Sequence, residues 1–487
     1  MLIYDLSKCG TVPKYIYLYM CIKEDILTGK LKPGEKLPSK RALADHHNLG
    51  VVTVANCYEQ LLSEGYIVSY ERKGYFVEEL SELQNRSPGS SQLPLAEPAG
   101  EEAAPVSAET GEQPEAEEED REYSFDFKAN RASLDLFPRA TWNQLMRKTL
   151  YQEDDSLYTT PPYNGLYILR KAIAGYLERE RGMYVDPSQI IIGAGTEYLY
   201  SRLTQLFGRH SIFGFEDPGY KNLAAITASY GNPCRFIPSD RSGLRVDLLD
   251  DSGVDVVHVS PANQFPTGRT MPARRRAELF EWVSRVKKRY IIEDDYDSEF
   301  RYKGRYIVPM FADGASEKVI YMNTFSKTMV PSLRISYMVL PKNLVEKYRE
   351  TVSFYSCTVS SFEQYTLAHF ISEGYFERHI NRLKNYYRKI RLSLISAVQQ
   401  SKLADISEII EHNAGTHFLL EVHTRLTSEE IRTAAEKADI NLRMYADYCD
   451  FVPQEMNRAI VVNYAGVQEE KIPEMVARLE MMFPECI

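Results

Sequence analysis

Apolar and polar positions run along this chain in two different rhythms. Residues 13–29, PKYIYLYMCIKEDILTG, repeat apolar side chains at helical spacing and stop at Gly29, a suitable helix terminus. LKPGEKLP follows as a turn-rich connector, and Ser39 can cap a helix opening SKRALADHH. After a break at Asn48–Leu49–Gly50, a further short helix runs through VVTVANCYEQLLSEG. YIVSYERKGYFVEE then offers two β-rich runs joined through Arg72–Lys73–Gly74, a hairpin. From about residue 123, helical patterns alternate with short apolar runs: QIIIGAG, SIFGFED, PCRFIP, DVVHVSP, RYIIEDD, KVIYMNTF and RISYMVLP. Strands alternating with helices predict a mostly parallel α/β sheet, which binds ligands at its strand carboxyl ends.

The stretch between the two halves, SPGSSQLPLAEPAGEEAAPVSAETGEQPEAEEEDRE, is rich in Pro, Ala, Ser, Gly and Glu. It cannot bury enough surface to offset its ordering entropy and is expected to be a flexible, self-repelling tether. Residues 81–122 hold two basic and twelve acidic side chains, and residues 1–80 hold ten of each. The net charge of -10 therefore sits in the tether. The expected organisation is a unit over 1–80, a linker over 81–122 and a large unit over 123–487, with a small C-terminal α+β subdomain from about 345.

Composition narrows the function classes. With 44% hydrophobic and 26% charged residues, a disordered or collagen-like chain is excluded. No stretch approaches the ~20 consecutive apolar residues of a membrane span, and the N-terminus lacks the pattern of a secretory signal. The seven cysteines form no CxxC, so reduced thiols are expected rather than a disulfide framework or a metal site. A cytoplasmic protein without a membrane partner is the expectation.

Candidate chemistry concentrates in two segments. In NTFSKTMVPSLRIS, residues 323–336, Lys327 follows an apolar strand directly, so its amine can project into a pocket at the strand end. Thr324 and Ser326 precede it, and Arg334 follows. A Schiff-base lysine beside hydroxyls and a guanidinium that bind phosphate is the arrangement pyridoxal phosphate demands. In RYIIEDDYDSEF, Asp294 can sit by a pyridine nitrogen and keep it protonated, while the Tyr296 hydroxyl can bond a phenolic oxygen. The EDDYD carboxylates alone would also suit Mg²⁺, but no GxxxxGK[ST] loop accompanies them.

The order LKPGEKLPSKRALA…TVANCYEQLLSEGYI…GYFV resembles the GntR-type winged-helix DNA-binding domain. The segments above, with FEDPGY and SPANQFPTGR, resemble a fold-type I, class I/II aminotransferase. Nearly the whole chain is thus similar to the MocR/GabR type of regulator. The resemblance implies an N-terminal winged helix, a fold-type I large domain with a mostly parallel seven-stranded sheet, and a C-terminal α+β subdomain. It implies DNA contacts from Ser39, Lys40, Arg41, Thr53, Lys73 and Gly74. Gly195, Thr196 and Glu197 would open a phosphate-binding helix, Tyr220 would stack on the pyridine, Asn263 would lie near the phenolic oxygen, and Lys327 would carry the cofactor.

Three departures matter. Where the family's recognition helix opens Ser-Arg-x-Thr, this chain has Gly50, Val51 and Val52 before Thr53. Where aminotransferases place a carboxylate-binding Arg, Val461 stands, with Arg443 or Arg458 as candidate substitutes, although each is expected to be a surface residue. In the aminotransferase NPTG motif, Phe265 occupies the asparagine position. The implied function is a pyridoxal-phosphate-dependent transcriptional regulator sensing an amine, an amino acid or the cofactor itself. It would not be a physiological enzyme, though residual half-reactions lie within its chemistry. The alternatives are a working aminotransferase with an appended DNA-binding domain, or a winged-helix scaffold that has lost its ligand. A head-to-tail homodimer is implied, with Tyr158 or Tyr163 reaching a shared site.

Overall fold

The computed structural model describes residues 4–9, 12–70, 73–78, 123–127, 134–152, 155–303, 306–313, 317–450 and 456–483. The tether over 81–122 and Arg72 of the hairpin lie outside the described residues.

Helices α1 (Lys14–Leu27), α2 (Lys40–His46) and α3 (Val51–Ser63) precede an antiparallel hairpin of β1 (Ile67–Tyr70) and β2 (Gly74–Val77). Ser39 caps α2, its hydroxyl accepting from the Ala42 amide at 3.2 Å. The Tyr58 hydroxyl donates to the Pro38 carbonyl at 2.8 Å, fixing the connector over α3. Leu18, Ile22, Leu43, Tyr58, Leu61 and Val77 help close one small core across all five elements. This is a winged helix.

The large unit begins with β3 (Phe125–Asp126), α4 (Arg139–Gln152) and α5 (Tyr167–Arg181). There follow β4 (Ile190–Gly193), α6 (Thr196–Phe207), β5 (Phe213–Asp217), α7 (Lys221–Ser229), β6 (Cys234–Asp240), β7 (Gly243–Leu244) and α8 (Leu249–Ser252). Then come β8 (Val256–Val259), α9 (Ala273–Arg285), β9 (Tyr290–Asp294), β10 (Val319–Thr324) and β11 (Ser336–Val339). All seven apolar runs form strands. The sheet order is β4-β11-β10-β9-β8-β5-β6-β7. The steps from β10 through β9, β8 and β5 to β6 are parallel, while β11 runs antiparallel to both β10 and β4. The sheet has eight strands rather than seven, because β7 is a two-residue return paired with the end of β6. Two residues leave no apolar run to detect. β4, β5, β8, β10 and β11 are buried at every position, the signature of a sheet covered on both faces.

Helices α10 (Lys342–Val352), α11 (Ser361–Ser372) and α12 (Tyr375–Gln399) lead into the last layer. It holds β12 (Ser407–Ile410), β13 (His417–Val422), α13 (Ser428–Lys437), β14 (Ile440–Asn441), β15 (Arg443–Met444), β16 (Ala459–Asn463) and α14 (Ile472–Met481). Its antiparallel sheet has the order β12-β13-β16-β15. α11 still packs Leu367 and Phe370 into the large-sheet core, whereas the second core gathers from Leu383 on α12. The C-terminal layer thus takes over inside α12, later than residue 345.

The winged helix rests on the large unit. The Ala273 amide at the start of α9 donates to the Glu64 carbonyl at 2.7 Å, and Gln60 Nε2 donates to the Tyr306 carbonyl at 3.2 Å. Lys23 Nζ meets Asp313 Oδ1 at 2.9 Å, both largely shielded from water. Gly65 has φ +71, and a Cβ there would come within 2.8 Å of the Pro272 Cβ, so the contact needs glycine twice over. Removing one partner of a shielded ion pair leaves a charge without compensation. Asp313→Ala is therefore expected to weaken this docking by on the order of 2 kcal/mol. Hydrogen exchange at the Glu64–Tyr66 amides should speed up accordingly; unchanged protection there would show that the pair does not hold the domain.

Candidate functional site

A cavity of about 350 Å³ opens where the parallel strands end. Its wall includes Gly195, Thr196, Glu197, Tyr220, Asp294, Tyr296, Thr324, Ser326, Lys327 and Arg334, residues that the sequence scatters over 140 positions. Asn263 is the exception. It sits one layer back, where Nδ2 donates to both Asp297 carboxylate oxygens at 2.9 and 2.8 Å. The Tyr296 hydroxyl donates to the Asn263 carbonyl at 3.0 Å, so Asn263 positions Tyr296.

Lys327 follows β10 by three residues, and its Nζ stands 5.4 Å from the centre of the Tyr296 ring. Burial lowers its amine to about 8, against the opposing pull of Asp297 and Asp294. A larger fraction of such an amine is neutral at pH 7 than of an ordinary lysine. Asp297 moves the other way, burial raising it to about 7. The Tyr296 phenol is pushed well above its usual range by burial and then by Asp297, so it stays a donor.

Asp294 ends β9, and its Oδ2 lies 3.5 Å from Nε2 of His258 on β8. Glu216, the fourth residue of β5, accepts from the Ser260 amide at 2.9 Å through Oε2, while its Oε1 has no partner. Burial raises that carboxyl to about 8, which leaves it largely protonated at neutral pH. The acidic run does not form a metal cluster. Glu293 accepts from the Met310 and Phe311 amides, Asp295 from the Tyr321 hydroxyl and Asp297 from Asn263, so the carboxylates diverge. No group of three metal-ligating side chains occurs among the described residues.

The opposite end suits an anion. Gly195 has φ +91 at the mouth of the twelve-residue α6, and a Cβ there would lie 2.5 Å from Arg334 Nη2. Arg334 Nη2 donates to Glu197 Oε2 at 2.6 Å, both side chains half exposed. Thr324 spends its hydroxyl on the turn itself, accepting from the Ser326 amide at 3.1 Å and the Ser336 hydroxyl at 2.8 Å. Ser326 lines the cavity wall beside it. Helix N-terminus, guanidinium and hydroxyl together can hold a phosphate. Tyr220, at the start of α7, is 46% exposed and forms a side wall.

The far end of the cavity comes from the C-terminal layer. His417 on β13, Tyr448, Val461 and Asn463 on β16, and Phe265 line it. Nε2 of His417 lies 3.1 Å from the Pro266 carbonyl, so that nitrogen carries the proton, and burial lowers the imidazole to about 4. Val461 faces the cavity as an aliphatic wall. Arg443, its ladder partner on β15, is 3.8 Å from Asp447, and Arg458 donates to the Leu426 carbonyl. Neither arginine is part of the wall. Tyr158 is exposed beside Phe362, and Tyr163 packs on Tyr348; neither reaches the cavity of its own chain.

His258, Glu216, His417 and Asn463 were missed in the sequence. A polar residue inside DVVHVSP and FGFED was the available signal for the first two. The other two come from a layer more than eighty residues further on, and no local pattern marks them. The cavity's chemistry fits pyridoxal phosphate: an amine of lowered basicity, a carboxylate backed by histidine, a phenol, and an anion cradle that excludes any side chain at Gly195.

On the winged helix, Lys40 Nζ lies over the Tyr75 ring at 5.3 Å, which brings the start of α2 beside the wing. Arg41 and Lys73 are exposed, Thr53 is half-buried on α3, and Gly74 takes φ +103. The Ser39 hydroxyl is already engaged as the α2 cap.

Comparison with known proteins agrees with this division. The bacterial regulatory protein gntR family model matches residues 15–77, and the aminotransferase class I and II model matches 126–479. The HTH-type transcriptional regulator YdeL of Bacillus subtilis is 34% identical over 98% of both chains. The probable rhizopine catabolism regulatory protein MocR of Rhizobium meliloti is 29% identical, covering 98% of this chain and 95% of its own. The pyridoxine biosynthesis transcriptional regulator PdxR of Corynebacterium glutamicum is 28% identical over 82% and 81%. An archaeal alanine:glyoxylate aminotransferase superposes with a TM-score of 0.67 at 23% identity, covering 74% of this chain and 91% of that one. Fold and cavity thus define an aminotransferase-type domain, the fold of pyridoxal-phosphate enzymes, behind a DNA-binding winged helix. The chain belongs to the GntR-type transcriptional regulators fused to an aminotransferase class I and II domain.

The lowered basicity of Lys327 gives a direct test. Reductive capture of pyridoxal phosphate by the apoprotein should label Lys327, with a rate that rises with pH and levels off near 8. Lys327→Ala should take no label. A rate still climbing towards pH 10, or a label on another lysine, would contradict the assignment.

Proposed function

We propose that this regulator holds pyridoxal phosphate at Lys327 and couples occupancy of that site by an amine, an amino acid or the cofactor alone to promoter binding. The observation that carries the reading is the Lys327 amine, buried and of lowered basicity, facing an anion cradle in a chain that also bears a helix–turn–helix. When bound, the cofactor would supply an electrophilic carbonyl and an electron sink. The chain's own part would be positioning: Asp294 would hold the pyridine nitrogen, Tyr296 and Lys327 the carbonyl end, and Arg334, Ser326 and the α6 amides the phosphate, with Tyr220 beside the ring.

An active aminotransferase is the competing reading. Val461 in the place of the carboxylate-binding arginine speaks against it, since an aliphatic wall cannot make the bidentate contact. The names of MocR and PdxR, one tied to rhizopine catabolism and one to pyridoxine biosynthesis, are consistent with small amine or cofactor-related effectors. The working division is 1–80 for DNA, 81–122 as tether and 123–487 for ligand, in a cytoplasmic head-to-tail homodimer. The exposed Tyr158 stands where a second copy could be met.

The deciding experiment is an absorbance titration of the full-length protein with amines and amino acids, run beside binding to its own upstream DNA. Asp294→Ala should lower cofactor affinity by at least tenfold, because an ion pair to the pyridinium is lost; wild-type affinity would pass the role to another acid. Lys73→Ala should reduce the slope of log affinity against log salt by about one, as one phosphate contact disappears. A complex formed equally well by residues 123–487 alone would refute the winged-helix reading.

A further inference from the structure

The start of α3 carries a feature that folding does not require. Val54, Cys57, Tyr58 and Leu61 are each 0% exposed and form the inward stripe of the helix at i, i+3, i+4 and i+7. Val52 lies off that stripe and is 72% exposed, while Val51, one turn before Val54 and in line with it, is still 43% exposed. Asn56 and Glu59 follow one and two turns along from Val52 and are exposed as well. A lone exposed valine is ordinary on a protein surface. Two of them opening the second helix of a helix–turn–helix occupy the positions that meet base edges in the major groove. α3 also contains no lysine or arginine, so it cannot make the bidentate contact that selects guanine.

We propose that Val51 and Val52 read thymine methyl groups, and Asn56 an adenine, so that the centre of each half-site is built of A·T pairs. The inference rests on DNA binding by the winged helix and adds which bases it selects. In the major groove the C5-methyl of thymine is the apolar group on offer, and adenine presents the donor and acceptor that an amide side chain can bond together. Valine on a helix keeps essentially one rotamer, so little freedom is lost when it packs against that methyl. Against guanine or cytosine the same methyls would cover polar edges and leave them without partners, which disfavours those bases. Lys40 and Arg41 at the start of α2 and Lys73 on the wing supply cations for the phosphates, contacts that set register and carry no sequence information. Affinity and selectivity thus fall to different elements.

The test uses the full-length protein and a randomised duplex pool, followed by the enriched duplex remade with deoxyuridine for thymidine. That exchange removes the methyl and keeps every hydrogen-bonding group. Enriched half-sites are expected to be A·T at their centre, and uracil at a contacted position should weaken binding about fourfold, the worth of one buried methyl. Val52→Ala should narrow the difference between thymine and uracil duplexes while keeping the wild-type salt dependence. Val51→Arg should move the preference towards guanine. Both positions are exposed, so folding is not at stake, and circular dichroism verifies it. Guanine enriched at the half-site centre by the wild type, or equal wild-type affinity for thymine and uracil duplexes, overturns the inference. A protein that enriches no duplex at all overturns the DNA-binding reading beneath it.

Discussion

Five carboxylates within seven residues, Glu293 to Glu299, are buried or nearly so where β9 leaves the sheet, and the rest of the large domain is arranged around that constraint. Buried charge is tolerated only when paired or hydrogen-bonded. Arg181, at the last turn of α5, lies 3.2 Å from both Asp295 and Glu299 and is itself 2% exposed. Its guanidinium is held well above its ordinary basicity by these two acids despite a strong opposing burial effect. Glu293 is met by two backbone amides, and Asp297 by the amide of Asn263. With four of the five committed to structure, Asp294 is left at the cavity wall with His258 behind it. Asp294 is thus set apart by what its neighbours are doing.

The same clamp reaches the DNA-binding unit. Glu293 binds the amides of Met310 and Phe311, and the segment that carries them also carries the Tyr306 carbonyl and Asp313. Those two groups meet Gln60 and Lys23 of the winged helix. Arg276 ties the segment to the start of α9, donating to the Val308 and Met271 carbonyls at 3.1 Å each, and α9 begins with the amide that donates to the Glu64 carbonyl. One residue along β9 therefore separates the cavity wall from the support of the winged helix.

Much of this was legible in the chain, and the reason is period. Seven strands were visible as apolar runs, five of them unbroken because they are buried on both faces, while the two-residue β7 left none. Lys327, Asp294 and Tyr296 were legible because polar residues directly after such runs must emerge at strand ends. Asn263 and Thr324 were assigned by position along a motif. Their distances from the cavity depend on which neighbour claims each polar atom, and the sequence does not carry that. Asp297 and the Tyr296 hydroxyl take up Asn263, and Ser336 takes up Thr324. His417 and Asn463 were illegible because the C-terminal sheet delivers them from across the chain.

A single residue step separates structural from functional side chains in both units. At the end of β9, Glu293 and the following Asp295 turn towards the clamp and Arg181, and Asp294 between them turns to the cavity, the alternation of extended backbone. On α3, Val54, Cys57, Tyr58 and Leu61 hold the core while Val52, Asn56 and Glu59 are left outside by the 3.6-residue period. Substitutions on the outer set can therefore change what is recognised without disturbing what is packed. That freedom is why α3 can carry an exposed valine at position 52 and keep its fold: the core is closed by the inward stripe, and Val52 takes no part in it.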